Sequence, residues 1–298
     1  MAMRNLDGIH YMIPTPFTET EDLDLEPIAG MVDLSVKDGC KGVVCLGVTG
    51  EANRLDDKER NLVIEETVRA AGGRIEVTVG TSGTGTRQTV ERCKLAESLG
   101  ATAVMVAAVP MPKSNLKRLY EYYVAVAGAV NIQVVVQDYP AVTGVQMPPD
   151  FIAKLVDDFE NINYLKLEDT PCPQKVTEIR NLTGDALGIF GGLGGVYLYE
   201  ELCRGAVGAM SGFAYQNIFV QMYDLIQAGD KKGAGEVFYK YLPAIRLQFT
   251  QGLLISLRKE IMKRRGLMTC TRMRHPGVEA DQTTIDELFA LLDELGLE

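Results

Sequence analysis

The chain has 298 residues, 46% of them hydrophobic and 23% charged, with a formal net charge of -10. Such a length holds either two average domains or one α/β barrel, and the negative charge argues against nucleic acid or an anionic membrane as partner. The longest apolar runs, such as Ala101–Met111, are too short to cross a bilayer, and Met1–Gly8 lacks the apolar stretch of a secretory signal, so a cytoplasmic protein is expected.

Strand-like segments rich in Val and Ile run through Ile9–Ile13, Gly42–Leu46, Ile75–Val79, Ala103–Ala107, Ile132–Val136, Tyr164–Leu167, Leu187–Phe190 and Ala206–Met210. Amphipathic stretches lie between them: Asp57–Ala71, Arg87–Leu99, Leu116–Ala129 and Asp150–Phe159. Asp56 followed three residues later by Glu59 predicts a capping box at the start of the first of these. Eight alternating units imply a parallel sheet, and eight close more readily into a (β/α)8 TIM barrel than they form an open sheet. The doubly wound alternative needs a glycine fingerprint after the first strand, where the chain reads P-T-P-F instead. From Tyr215 onward the pattern is helical, over Tyr215–Gln227, Lys232–Arg264 and Thr283–Leu295. The expected organisation is therefore an α/β barrel over 1–214 with a C-terminal helical extension over 215–298.

None of the six cysteines forms a C-x-x-C pair, and the two histidines, His10 and His275, sit at opposite ends of the chain. Zinc-type spacing is absent and a histidine triad is disfavoured, so neither a metal nor a cofactor is expected. Catalysis then falls to Lys, Tyr, Thr and carboxylates.

The stretch Asn161–Thr170, N-I-N-Y-L-K-L-E-D-T, carries a lysine inside a buried-strand pattern. Side chains alternate along a strand, so Tyr164, Lys166 and Glu168 share one face. Burial lowers a lysine's pKa, and a neutral amine is a nucleophile toward carbonyls, which makes Lys166 a candidate Schiff-base residue. From this stretch alone, a structural Lys–Glu pair or a strand end reaching solvent is the better-supported reading.

In a barrel the chemistry gathers where the strands end. Those ends here read Gly47-Val48-Thr49-Gly50-Glu51, Gln137-Asp138-Tyr139-Pro140, Gly191-Gly192 and, on the last strand, Met210-Ser211-Gly212. Thr49 with the N–H groups freed by Gly47 and Gly50 could cradle a carboxylate, or could simply form a strand-to-helix turn. Gly80–Gly85 lacks the Gly-Lys-Ser/Thr ending of a phosphate loop and reads as structural. The glycines of Gly191–Gly195 fit either a phosphate or the close approach of a small substrate.

In order along nearly the whole chain, P-T-P-F, G-V-T-G-E, P-A-V-T-G, Leu165-Lys166 with Glu168, and G-A-V-G-A-M-S-G resemble the dihydrodipicolinate synthase / N-acetylneuraminate lyase family. The resemblance implies an enzyme, a class I lyase for pyruvate or another 2-oxo acid, with Lys166 as the imine-forming lysine. Tyr139 and Glu168 are then the expected proton-transfer groups. Thr49, Val48, Gly50, Gln137, Gly191, Gly192, Met210 and Ser211 are expected around the substrate, in a homotetramer. The departures are specific. Val48 stands where the synthases carry a hydroxyl, Gln137 where they carry a relay tyrosine, Met111 near a second relay tyrosine, and Val142 at the arginine that clamps the aldehyde substrate's carboxylate. The Q-D-Y-P variant resembles members acting on 2-keto-3-deoxy sugar acids, some as dehydratases. Synthase-like condensation of pyruvate with an aldehyde and a non-catalytic 2-oxo acid sensor remain alternatives.

Overall fold

The computed structural model describes residues 5–111, 113 and 115–298. Met1–Arg4, part of the segment read above for a signal, lies outside them. Eight parallel strands close into a barrel in chain order: β1 Gly8–Met12, β2 Gly42–Cys45, β3 Glu76–Gly80, β4 Ala103–Ala107, β5 Gln133–Asp138, β6 Tyr164–Leu167, β7 Gly188–Gly191 and β8 Gly208–Ser211. Pairing of β8 with β1, Ile9 opposite Ala209 and Tyr11 opposite Ser211, completes the ring. The helices are α1 Glu26–Lys37, α2 Asp57–Ala71, α3 Thr86–Ser98, α4 Leu116–Ala127, α5 Pro140–Thr143, α6 Pro149–Asp158, α7 Cys172–Thr183, α8 Leu198–Cys203, α9 Gln216–Gln227, α10 Lys231–Gln248, α11 Leu254–Arg264 and α12 Gln282–Glu294. None is long and apolar enough to cross a membrane among the described residues.

The strands read as continuous apolar runs because both faces are buried. Outward residues such as Val43, Val77, Val104, Val134 and Leu165 join one large core with the helices. The inward set, including Met12, Val44, Met105, Tyr164, Phe190 and Met210, forms a separate core that fills the lumen. At the lumen floor the Tyr164 hydroxyl accepts from Leu6 N at 3.0 Å and donates to Asp7 Oδ1 at 2.9 Å, while its ring stacks on Phe190. The barrel is thus a packed plug up to the level of Lys166.

The capping box expected at α2 is present: Asp56 Oδ1 accepts from Glu59 N at 2.9 Å, and Glu59 Oε2 accepts from Asp56 N at 3.0 Å. Two features differ from the sequence reading. α9 packs on β1 and completes the outer ring of the barrel, so a boundary at 214 would cut away a barrel helix. The single helix expected over Lys232–Arg264 is two, α10 and α11. Between them Gly252 adopts a positive φ of 85°, and Thr250 Oγ1 turns back to donate to Leu247 O at 2.7 Å. Left-handed backbone cannot continue an α-helix. The break redirects α11 so that its Arg258 and Lys259 return to the barrel mouth.

There the buried Lys259 ammonium lies 2.7 Å from Oε1 of Glu51, itself buried, and donates to Arg272 O at 2.8 Å. Oε2 of Glu51 pairs with Arg54 and accepts from Arg274 N at 3.2 Å. Burial draws the Lys259 pKa down, and Glu51 opposes it. Glu51 ends the G-V-T-G-E turn, so this pair bolts the helical extension to the loop beside the site. Removing Lys259 leaves the buried Glu51 with only part of its compensation, Arg54 on Oε2 and nothing charged on Oε1 among the described residues. Lys259→Met should therefore cost about 3–5 kcal/mol in urea unfolding, and the double change Lys259→Met with Glu51→Gln should cost less than the sum of the two single changes. A double variant whose loss equals that sum would show that the two groups do not depend on each other.

Candidate active site

Lys166 occupies β6 in register with Gln137 on β5 and Phe190 on β7, and its side chain points into the lumen at the C-terminal end. It is 2% exposed. Its Nζ lies 3.1 Å from Oε2 of Glu168, and it donates to Met12 Sδ at 3.1 Å. Gln137 Nε2 donates to the same Glu168 oxygen at 2.7 Å. Strand alternation supplies half of this arrangement, since Lys166 and Glu168 share a face. Barrel register supplies Gln137. Gly192 supplies the space, because a Cβ there would collide with the Glu168 side chain.

The remaining residues expected at the site divide by the direction they face. Met210 points inward and packs in the lumen core. Thr49 is half-buried, with Oγ1 4.0 Å from Met12 Sδ. Gly50 is buried, and its carbonyl accepts from Thr15 Oγ1 at 2.6 Å, which fixes the turn. Gly191 and Ser211, expected at the substrate, point the other way. A Cβ on Gly191 would strike the Glu201 carboxylate on α8, and Ser211 Oγ accepts from its own neighbour Phe213 N at 3.2 Å. Both lie one residue out of phase with Lys166's face, so their side-chain directions leave the lumen.

Tyr139 departs from the strand. β5 ends at Asp138, and Tyr139 sits at φ -134° and ψ 72° as the N-cap of α5. Its ring is half-buried against the outer core, and no hydrogen bond of its hydroxyl occurs among the described residues. Burial, followed by the Glu168 charge, pushes its pKa up to about 12, so the phenol stays protonated at neutral pH.

A cavity of about 450 Å³ opens over the ends of β2–β5. Gly47, Met105 and Gln137 form its wall toward the lysine; Val48, Asn53, Ser82, Thr84 and Gln88 lie farther out, and Val142, 54% exposed, is at its edge. Two arginines also line it, and both are spent on the protein. Arg60 donates to Ala52 O and Gly80 O; Arg92 donates to Ser82 O and to Asp57 Oδ1.

A buried lysine, its carboxylate and a neighbouring cavity at the mouth of a parallel barrel invite comparison with known proteins. The model of the dihydrodipicolinate synthetase family matches residues 5–295. The chain belongs to that family. It is 29% identical over 295 residues to the L-2-keto-3-deoxyarabonate dehydratase of Azospirillum brasilense, covering 97% of this chain and 94% of that protein. The dihydrodipicolinate synthase of Rhodopseudomonas palustris superposes with a TM-score of 0.92 at 32% identity, covering 98% of this chain and 99% of that one. YagE, a prophage protein of the same family from Escherichia coli K12 solved in complex with pyruvate, superposes with a TM-score of 0.90 at 25% identity, covering 98% of this chain and 99% of that one. Like the members of the dihydrodipicolinate synthetase family, the chain is a lyase of the aldolase or dehydratase type.

This family member carries ionisable groups around the site that sequence reasoning missed. Behind β5 and β6, Lys175 Nζ lies 2.7 Å from Asp138 Oδ2 and 2.8 Å from Asp169 Oδ2, and donates to Met147 O. Burial still raises Asp138 to a pKa of about 6. The aspartate of Q-D-Y-P was the available signal, being a charge inside a buried strand. On α8, Glu201 is fully buried, and neither carboxylate oxygen has a hydrogen-bond partner among the described residues. Burial first, then the charges of Glu200 and Glu168, raise its pKa from 4.5 to about 8. The folded protein therefore holds this proton more tightly than the unfolded chain. That stability is fully present below about pH 4.5 and is lost as pH climbs through about 8. Glu201→Gln should gain on the parent protein between pH 5 and pH 8, by roughly a few kcal/mol at the upper end. Thermal melts of the two proteins across that range provide the check; a pH-independent difference would mean the carboxyl ionises normally in the fold.

Proposed function

We propose that the chain is an imine-forming class I lyase that acts on a 2-keto-3-deoxy sugar acid, as a dehydratase or an aldolase. The observation that carries this is Lys166, an amine buried in the barrel mouth beside a carboxylate and next to a cavity. Glu168, 3.1 Å away, takes the ammonium proton on this reading. The free amine then adds to the C2 carbonyl, and loss of water leaves a protonated imine. That cation draws electrons from C3, which is what carbanion chemistry needs. Removal of a C3 proton gives an enamine. Expulsion of the C4 hydroxyl, protonated as it leaves, gives an unsaturated imine whose hydrolysis completes a dehydration; cleavage of the C3–C4 bond with proton loss from the C4 hydroxyl instead yields an aldehyde and an enamine, which takes a proton at C3 and hydrolyses to pyruvate. Glu168 serves as base and, once protonated, as donor to the leaving hydroxyl; the Tyr139 ring packs against the outer core and stays out of the proton path. Thr49 and the neighbouring N–H groups hold the substrate carboxylate.

The dehydratase relative and the pyruvate complex of YagE support this reading. So does the cavity: Asn53, Ser82, Thr84 and Gln88 are uncharged hydrogen-bonding groups suited to a hydroxylated chain. We also take the enzyme to be a homotetramer working in the cytoplasm, where its unpaired cysteines suit a reducing compartment.

Borohydride reduction in the presence of pyruvate should leave a covalent adduct on Lys166, read by peptide mass, and Lys166→Ala should abolish it. No adduct with any 2-oxo acid would end the imine reading.

Condensation of pyruvate with aspartate semialdehyde should be negligible. Val142 offers no charge at the cavity edge, and Arg60 and Arg92 are already engaged. An unpaired substrate carboxylate there loses about 2–5 kcal/mol, or roughly 30- to several-thousand-fold in rate. A coupled assay run beside 2-keto-3-deoxy acids decides the point; robust turnover of the semialdehyde would overturn it.

A further inference from the structure

The Lys166 side chain is sealed. With the residue 2% exposed, no carbonyl carbon reaches Nζ until a neighbour moves. Among the described residues, the polar contacts of the ammonium are with two side chains, Glu168 and Met12. Glu168 is held from several sides: by Lys166, by Gln137 at 2.7 Å and through its own backbone N–H, which donates to Asp138 O at 2.8 Å. Met12 is held only by packing and by the weak acceptor strength of a thioether. Its methyl lies against Gly47, where a Cβ would collide with it, and the Met105 methyl lies within 3.4 Å of the same point. Gly47 and Met105 are also wall residues of the 450 Å³ cavity.

The position of the sulfur is the decisive feature. Met12 Sδ is 3.1 Å from Lys166 Nζ and 4.0 Å from Thr49 Oγ1. On the reading above, those two groups grip opposite ends of the same small molecule, the amine at the carbonyl and the threonine at the carboxylate. We infer that Met12 is the gate of the site, its thioether filling the 2-oxo acid position until it swings toward the cavity through the wall formed by Gly47 and Met105. Methionine suits the task, having three rotatable bonds and no branch. A leucine would fill a similar volume with less freedom. An alanine would leave the position open. Met12 is a gating residue; it carries no proton and forms no bond to substrate.

The inference rests on the imine reading, and one experiment separates the two. The rate of borohydride-trapped adduct formation is measured with pyruvate and with a 2-oxo acid bearing a larger C3 substituent. Met12→Ala should form the pyruvate adduct about tenfold faster, with a greater gain for the larger acid. Met12→Leu should be slower than the parent by about threefold or more. Thermal melts establish that each variant is folded; if the alanine variant is not, the leucine variant alone decides. Adducts at equal rates in the parent and the folded variants would overturn the gate while leaving the imine intact. No adduct in the parent or in any variant would overturn both.

Discussion

Burying an ammonium group in a protein is costly unless a carboxylate goes with it, and among the described residues this barrel buries three. Lys166 is paired with Glu168 in the lumen, Lys175 with Asp138 and Asp169 behind β5 and β6, and Lys259 with Glu51 beneath the G-V-T-G-E turn. Together they surround the C-terminal mouth. An ion pair withdrawn from water demands good geometry, since removing or misplacing one charge exposes the full desolvation cost of the other. The loops after β2, β5 and β6 are therefore anchored where they leave the sheet. Such rigidity is what a site needs if it is to hold a small acid within reach of one amine.

The three pairs are not equivalent. Lys175 and Lys259 also donate to backbone carbonyls, Met147 O and Arg272 O, so most of their hydrogen-bonding capacity is spent on structure. Lys166 makes a 3.1 Å pair with Glu168 and otherwise touches a methionine sulfur. A thioether is a poor acceptor. The lysine in the lumen is thus the least satisfied of the three, and the one whose partners can be exchanged for a substrate. Acidic groups continue outward from it: Asp138 at about 6 and Glu201 at about 8 both hold protons more tightly than free carboxyls. In a chain of net charge -10, a protonated Glu201 reduces the local repulsion met by an anionic acid.

Much of this was readable from residues alone, for reasons that differ. The α2 boundaries were recovered from the Asp56–Glu59 box and the polarity spacing, because capping is satisfied within four residues of chain. The lysine stood out because a charge inside an apolar strand needs an explanation. By contrast, the sequence reading extended one helix from Lys232 to Arg264 across both Pro243 and Gly252; α10 accommodates Pro243 in its interior, whereas Gly252 takes a positive φ in the break before α11, and the chain alone does not say which of the two interrupts the helix. Gly191 and Ser211 were assigned to the substrate because they sit at strand ends. Period-two alternation divides a strand into two faces but does not say which face meets the lumen; the register with neighbouring strands decides that.

The sequence by itself determined the eight strands, the parallel barrel and the shared face of Lys166 and Glu168, because these depend on patterns of hydrophobicity and alternation within a few residues. Only the tertiary structure decided what that face confronts. Met12 comes from 154 residues away to touch the amine, and Lys259 comes from 208 residues away to bury Glu51. Such meetings follow from closing the ring and folding α11 back over its mouth, and no local pattern encodes them.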